Sequence, residues 1–352
     1  MFFFVRNINY CFIMLLFVGG EEASAHHCRI IPNTVNFGKI DPLRIDGLTQ
    51  AFTMTLDCYS ITDPTHYCIS LQSVPPIGAT GNPERTLDFT GVNPQDRFIS
   101  FQFICGGSLS CAGSIFGGAV NEPEGYGEPI IGTLPGDSRA PTRQIAQPFD
   151  AVLGRPGGQD LRTGLYSNRF TASVYWNYSS RYNNGMDDET KKLMCKKGGS
   201  GVPGTLVTQS TFLVTANVEK SCSLVVTGIN FGKSASLDNV PEAKGAIQVK
   251  CSDPTDYQIG LSLGNNSKGE NQRSMKCTNT DKCGTSLVDY NLYHRENGVD
   301  TLWNNKWNTD GIVTSTSNNQ TVETPVYARL VPNQGNVPAG LYSDIVIVEI
   351  RY

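Results

Sequence analysis

The residues best suited to chemistry in this sequence are its eleven cysteines and four histidines. Cys11 lies in an apolar run near the start, and the other ten, an even number, are spread along the remainder. Such thiols either cross-link or hold a metal. No Cys-x-x-Cys pair or histidine-rich spacing is present to assemble a metal site. Disulfides are therefore expected, provided the chain leaves the reducing cytoplasm. Cys28–Cys58 and Cys222–Cys251 take matching places in the two halves of the sequence and are expected as equivalent bridges. Cys105–Cys111 and Cys277–Cys283 each close a tight loop, and elimination leaves Cys68 to pair with Cys195.

Catalysis finds little to work with. His66 and His294 stand in turn-like contexts with no Ser or Cys motif beside them, and His26-His27, at the expected new N-terminus, reads as a disordered start in preference to a site for a stray metal. There is no Gly-x-Ser-x-Gly elbow, no His-Glu-x-x-His helix and no P-loop. Asp187-Asp188-Glu189 sits in a polar stretch and reads as solvated charge. The formal net charge is −4, and the only lysine pairs of note are Lys191-Lys192 and Lys196-Lys197, so no nucleic-acid footprint is present. The sequence predicts no enzyme, no cofactor and no metal.

Around these residues the elements follow a repeat. Cys28 precedes Phe37-Gly38-Lys39, and Cys222 precedes Phe231-Gly232-Lys233, 194 residues on. Asp63-Pro64-Thr65-His66-Tyr67 is matched by Asp253-Pro254-Thr255-Asp256-Tyr257, and Gly-Leu-Tyr-Ser occurs at 164–167 and 340–343. With Cys58 and Cys251 in matching places, these make four matches in one order and predict two copies of one domain. Arg6, the apolar run Cys11–Val18 and Ala23-Ser24-Ala25 read as a signal peptide over 1–25, too short to span about 30 Å of hydrocarbon. Period-two runs such as Phe212, Val214, Ala216 and Val218, with 36 Gly and 19 Pro between runs, predict an all-β chain of two tandem immunoglobulin-like sandwiches. The first is placed at 26–195, a Gly/Ser-rich linker at 196–205, and the second at 206–352.

The edges of the two domains differ. Tyr342–Tyr352 is strongly β-forming and closes the sequence, so its outer edge either lies open to another chain or belongs to a complete sandwich. The first domain runs about twenty residues beyond the equivalent point, through Cys195, and that extension is expected to supply its own closing strand. Only His26 and His27 precede Cys28 after the expected cleavage, leaving no arm with which to complete a neighbour.

From about residue 210 onward the sequence resembles the spore-coat-protein-U domain, the subunit domain of archaic chaperone–usher pili. The resemblance rests on Phe212, Cys222, Phe231-Gly232, Cys251, Tyr257, Arg273 with Met275, Leu287–Tyr293, Trp303, Val326–Arg329 and Gly340–Asp344. Asn304 and Ala328 stand where the family usually has Gly. The resemblance implies a second sandwich lacking its last strand, which a periplasmic chaperone lends and an adjacent subunit's N-terminal arm replaces after passage through an outer-membrane usher. Phe212, Val214, Ala216, Val218, Val346, Val348, Ile350 and Tyr352 would edge that groove. A complete first domain without a donor arm implies a two-domain tip adhesin, displayed on the cell surface and promoting attachment and biofilm formation.

Three Gly/Pro-bounded segments are candidates for contact with a host or abiotic surface. They carry Pro75, Pro76 and Ile77; Ile115 and Phe116; and Ile130, Ile131 and Leu134. Burial in ordinary strands is the competing reading. Stacking of a glycan on Tyr175, Trp176, Tyr178 and Tyr182 is a second adhesive reading, and a structural role in a protective coat or in a non-tip position is a third.

Overall fold

The computed structural model describes residues 26–72, 85–91, 98–107, 109–120, 127–139, 142–154, 161–182, 184–269 and 271–352. The expected signal peptide and Pro75, Pro76 and Ile77 lie outside the described residues. The chain is all-β and forms two immunoglobulin-like sandwiches in tandem.

The first sandwich contains β1 (His27–Pro32), β2 (Val35–Ile40), β3 (Thr49–Tyr59), β4 (Thr65–Gln72) and β5 (Arg85–Phe89). It continues through β6 (Phe98–Cys105), β7 (Ile130–Leu134), β8 (Arg143–Leu153) and β9 (Gly164–Asn177). Helix α1 (Asp188–Lys196) and β10 (Leu206–Val218) follow. One layer runs β1-β3-β8-β6-β5 and the other joins β7, β4, β9, β10 and β2. β5 also pairs with β9 through Asp88↔Ser167 and Phe89↔Tyr166, and so joins the layers at one side. Between them lies an aromatic core of Phe52, Phe101, Phe103, Phe149, Phe170 and Phe212.

β10 corrects the expected division of the chain. Its residues were assigned to the second domain, yet they pair with β9 along their whole length, from Leu206↔Trp176 to Val218↔Gly164. On its other side β10 runs parallel to β2, with Val214↔Val35 and Val218↔Ile40. Phe212, Val214, Ala216 and Val218 therefore point into the first core, each no more than 4% exposed. The Glu219 N–H still donates to Ile40 O at 3.1 Å, whereas the Ser221 N–H donates to Ser252 Oγ at 3.1 Å in the second sandwich. The junction is thus at Lys220.

The segment expected to supply a closing strand forms a helix instead. Asp187 Oδ1 accepts the Thr190 N–H at 2.7 Å, capping α1, and Asp188 and Glu189 in the first turn suit the helix dipole. Met194 and Cys195 on α1 join Cys68, Tyr175, Met186 and Val202 in a small cluster against β4, β7 and β9. Val202 is buried and Pro203 O accepts from Asn177 Nδ2 at 2.9 Å, so 196–205 is a packed turn rather than a free linker.

The second sandwich contains β11 (Cys222–Thr227), β12 (Ala243–Cys251), β13 (Thr255–Leu261) and β14 (Arg273–Cys277). A short helix α2 (Thr280–Cys283) precedes β15 (Leu287–Glu296) and β16 (Val299–Leu302). β17 (Val313–Ser317), β18 (Val322–Leu330), β19 (Tyr342–Ser343) and β20 (Val348–Arg351) complete the order. One layer runs β11-β12-β18-β15-β14-β19 with β16 on β15, and the other is β17-β13-β20. Trp303 sits at the centre, fully buried, its Nε1–H donating to Ile259 O at 2.9 Å.

All five expected disulfides are formed: Cys28–Cys58, Cys68–Cys195, Cys105–Cys111, Cys222–Cys251 and Cys277–Cys283. The repeat is equally visible in a turn. Asn36 Oδ1 accepts the Gly38 N–H at 2.8 Å, and Asn230 Oδ1 accepts the Gly232 N–H at 2.8 Å. Both glycines have positive φ, +67° and +77°, which is why glycine stands at each.

Candidate functional site

Because the chain contains two versions of one domain, each position in the second has a control in the first. Superimposing Gly164–Ser167 on Gly340–Ser343 pairs Tyr166, Phe170, Ala172, Val174 and Trp176 with Tyr342, Val346, Val348, Ile350 and Tyr352. The first set is buried throughout, at 0–3% exposed. In the second, Tyr342, Val346, Val348 and Ile350 are only half-buried and Tyr352 is 56% exposed. The same contrast holds across the fold, where Val35 and Phe37 are buried and their counterparts Ile229 and Phe231 are partly wet.

The difference is one strand. In the first sandwich β10 fills the space between β9 and β2. Among the described residues no strand takes the corresponding place beside β20, which pairs with β13 alone. Ile229–Ser234, the counterpart of β2, forms no strand, and among the described residues no strand lies beside it as β10 lies beside β2. What remains is a groove of about 290 Å³. Its walls include Ile229, Phe231, Ile247, Leu292, Val326, Val346 and Val348. Burying the four inward side chains of a strand like β10 is worth roughly 7 kcal/mol, against a typical domain stability of about 5–15 kcal/mol. Filling the groove is therefore on the scale of the whole stability of this half.

The expected groove residues divide accordingly. Val346 and Val348 line it, Ile350 packs against the second core at its end, and Tyr352 lies exposed beyond it. Phe212, Val214, Ala216 and Val218 do not line it. They are the filling of the equivalent groove in the first sandwich. Tyr290, Met275 and Ile229 line the groove unannounced by the strand pattern, although Phe231 belongs to the repeated Phe-Gly-Lys motif.

The groove holds one polar cluster. Asp344 Oδ2 accepts from Tyr290 Oη at 2.8 Å, and Oδ1 accepts from Asn265 N and Asn266 Nδ2, both at 3.0 Å. Burial pushes the Tyr290 phenol up, and the adjacent carboxylate pushes it further. Arg273 is fully buried beneath, its guanidinium donating to Leu261 O, Ser262 O and Trp303 O. Burial draws its pKa down to about 10, opposed by the charges of Tyr290 and Asp344.

Residues 208–349 match the family model of the Spore Coat Protein U domain. The coat-U match begins inside β10, so the first strand of this unit sits in the other sandwich. No curated protein matches the chain. Among solved structures it is similar to the CsuC–CsuE chaperone–tip adhesion subunit pre-assembly complex of archaic chaperone–usher Csu pili from Acinetobacter baumannii. That likeness has 15% identity and a TM-score of 0.48, covering 93% of this chain and 100% of that one. The CupB6 tip adhesin of Pseudomonas aeruginosa is similar at 10% identity and a TM-score of 0.33, covering 92% of this chain and 93% of that one.

The candidate surface loops fare differently. Phe116 is 0% exposed, its ring centroid lies 4.7 Å from that of Phe149 with the planes tilted by 36°, and its carbonyl accepts from buried Arg85 at 2.7 Å. Ile130 and Leu134 are each 1% exposed and lie within β7. These three are core residues: Ile130 and Leu134 sit on the buried face of a short strand, and Phe116 is held inward between an isolated bridge to Glu128 and the Phe149 ring. Ile131 packs on the α1 cluster, and Ile115 is half-buried. Tyr175 and Trp176 are also in the interior and present no face to a glycan, while Tyr178 packs against the core. The histidines have structural partners: His66 bonds Thr133 Oγ1 and Tyr182 O, and His294 bonds Asp310 O. His26 stacks on Tyr178 at 4.0 Å, where a disordered start was expected.

Proposed function

We propose that this protein is the tip subunit of an archaic chaperone–usher pilus, exported through the periplasm and displayed at the cell surface. The coat-U domain accepts an extended strand first from a periplasmic chaperone and then from the N-terminal arm of the adjacent subunit at the outer-membrane usher. Strand addition supplies backbone hydrogen bonds along β20 and places alternate side chains in the groove. The first domain faces the host or abiotic surface and mediates attachment and biofilm formation.

The observation that carries this reading is the paired control within the chain: equivalent side chains are dry where β10 lies and wet where nothing does. A second feature supports the terminal position. The strand at the head of the coat-U unit is committed to the first sandwich, so it is not available to complete another subunit. The test is co-expression of the full chain with a periplasmic pilus chaperone, followed by exchange with a subunit-arm peptide. A chaperone complex that yields to the peptide is expected. A soluble chain that binds neither would remove the reading.

A further inference from the structure

The groove is not uniformly apolar, and its polar point has a counterpart with different chemistry. Aligning the Gly-Leu-Tyr-Ser motifs puts Asp344 where the first sandwich has Asn168. There, Asn168 lies directly across from Val214 of β10. The asparagine satisfies itself locally. Its Nδ2 donates to Thr86 O at 3.2 Å and Asp88 Oδ2 at 3.4 Å, and its Oδ1 accepts the Arg169 N–H at 2.8 Å. Val214 can therefore pack beside it without leaving a donor unmet.

A carboxylate cannot do the same, because it only accepts, at about four lone-pair positions. Asp344 Oδ1 takes two bonds and Oδ2 takes one, from Tyr290. One position on Oδ2 is left, on a side chain that lines the groove. The carboxylate is held in place rather than free to turn away. Gly264, at φ +78°, lets it approach so closely that a Cβ there would meet Oδ2 at 1.9 Å. Any strand laid across the groove thus either donates to the second lone pair of Oδ2 or seals that position from water without a donor.

We propose that Asp344 makes the groove selective for a strand with a hydroxyl or amide donor at the residue across from it. By the same means it rejects this chain's own β10 sequence, which offers Val214 there. The proposal rests on the strand-acceptor reading and adds a rule for which strand is accepted. A strand of β10-like sequence would otherwise be a ready occupant, since β10 already fits the homologous groove of the first sandwich. Specificity of this kind comes from an unmet polar group as much as from attraction.

Two peptides test it, one with the sequence Leu206–Val218 and one with Val214→Thr, which exchanges a methyl for a hydroxyl at nearly constant shape. Each is titrated against the full, oxidised chain by fluorescence anisotropy. The Val214→Thr peptide should bind about tenfold tighter, the scale of one hydrogen bond to a charged group. On a chain bearing Asp344→Asn, whose amide brings its own donor, the preference should shrink. If that variant does not fold, the comparison on the unaltered chain still decides. Equal affinities, or a preference for valine, overturn the selectivity while the open groove stands. Binding of neither peptide overturns the strand-acceptor reading, and the proposal with it.

Discussion

Replacing Phe212 with alanine separates the two places that this side chain has been assigned. The ring is 4% exposed, with centroids 5.8–6.1 Å from those of Phe52, Phe103 and Phe170. Truncating an aromatic side chain so enclosed costs about 3–5 kcal/mol, because the surrounding rings cannot close the cavity. The loss falls on the first sandwich. Hydrogen exchange resolved by peptide mass reads it directly, since each 1.4 kcal/mol is a tenfold change in opening. Amides of β9 and β2 should exchange roughly a hundred- to several-thousandfold faster in Phe212→Ala, while those of β13 keep their rates. If β13 loses protection and β9 does not, β10 belongs to the second sandwich and the reasoning fails.

Other perturbations follow from the same contacts. Phe116→Ser should lower the yield and melting temperature of the whole first domain by the same cavity mechanism; normal yield with reduced attachment would restore Phe116 to the adhesive surface. Replacing both Cys68 and Cys195 with alanine opens a 127-residue loop and should cost about 2–5 kcal/mol, with trypsin then cutting at Lys191–Lys197. Unchanged resistance would show that packing alone holds α1. Burial would raise the pKa of Asp57, but hydrogen bonds from Tyr59, Arg29 and Gln144 overcome it and hold the carboxyl below its ordinary value. Its contribution should therefore be complete above about pH 4 and fade as the pH falls through the depressed value. The melting-temperature gap between wild type and Asp57→Asn should narrow in acid, and a gap that widens would contradict the sign.

Much of this architecture was legible in the residues. The repeat of Cys28 with Phe37-Gly38 and Cys222 with Phe231-Gly232 announces two related domains, and the structure builds the same asparagine-held turn at each. Matching places in the repeat, two tight loops and elimination were enough to pair an even number of cysteines. Ownership of β10 was not legible. Alternation at Phe212, Val214, Ala216 and Val218 says that a strand has one apolar face, but two homologous grooves could take that face. The preceding Gly198–Gly204 stretch reads as a linker, and only the burial of Val202 and the Cys68–Cys195 tether show that it is a turn leading back into the first sheet. Phe116 and Ile130 misled for a related reason. Gly and Pro on either side suggest an exposed loop, while a five-residue strand such as β7 needs the same punctuation.

The groove itself was half legible. Val346 and Val348 follow from the period of the last strand, whereas Tyr290, Met275 and Ile229 reach it from strands and loops distant in sequence. Asp344 was visible only as the end of a motif. Its role depends on Gly264 and Tyr290, which no local pattern connects to it.

The most direct measurement of the open-groove account is hydrogen exchange at residues 342–352, with 164–177 as the internal reference. In the free chain the first stretch should exchange quickly and the second slowly, and a subunit-arm peptide should bring 342–352 to the protection of 164–177. Protection of 342–352 in the free chain, or no change on adding the peptide, would contradict it.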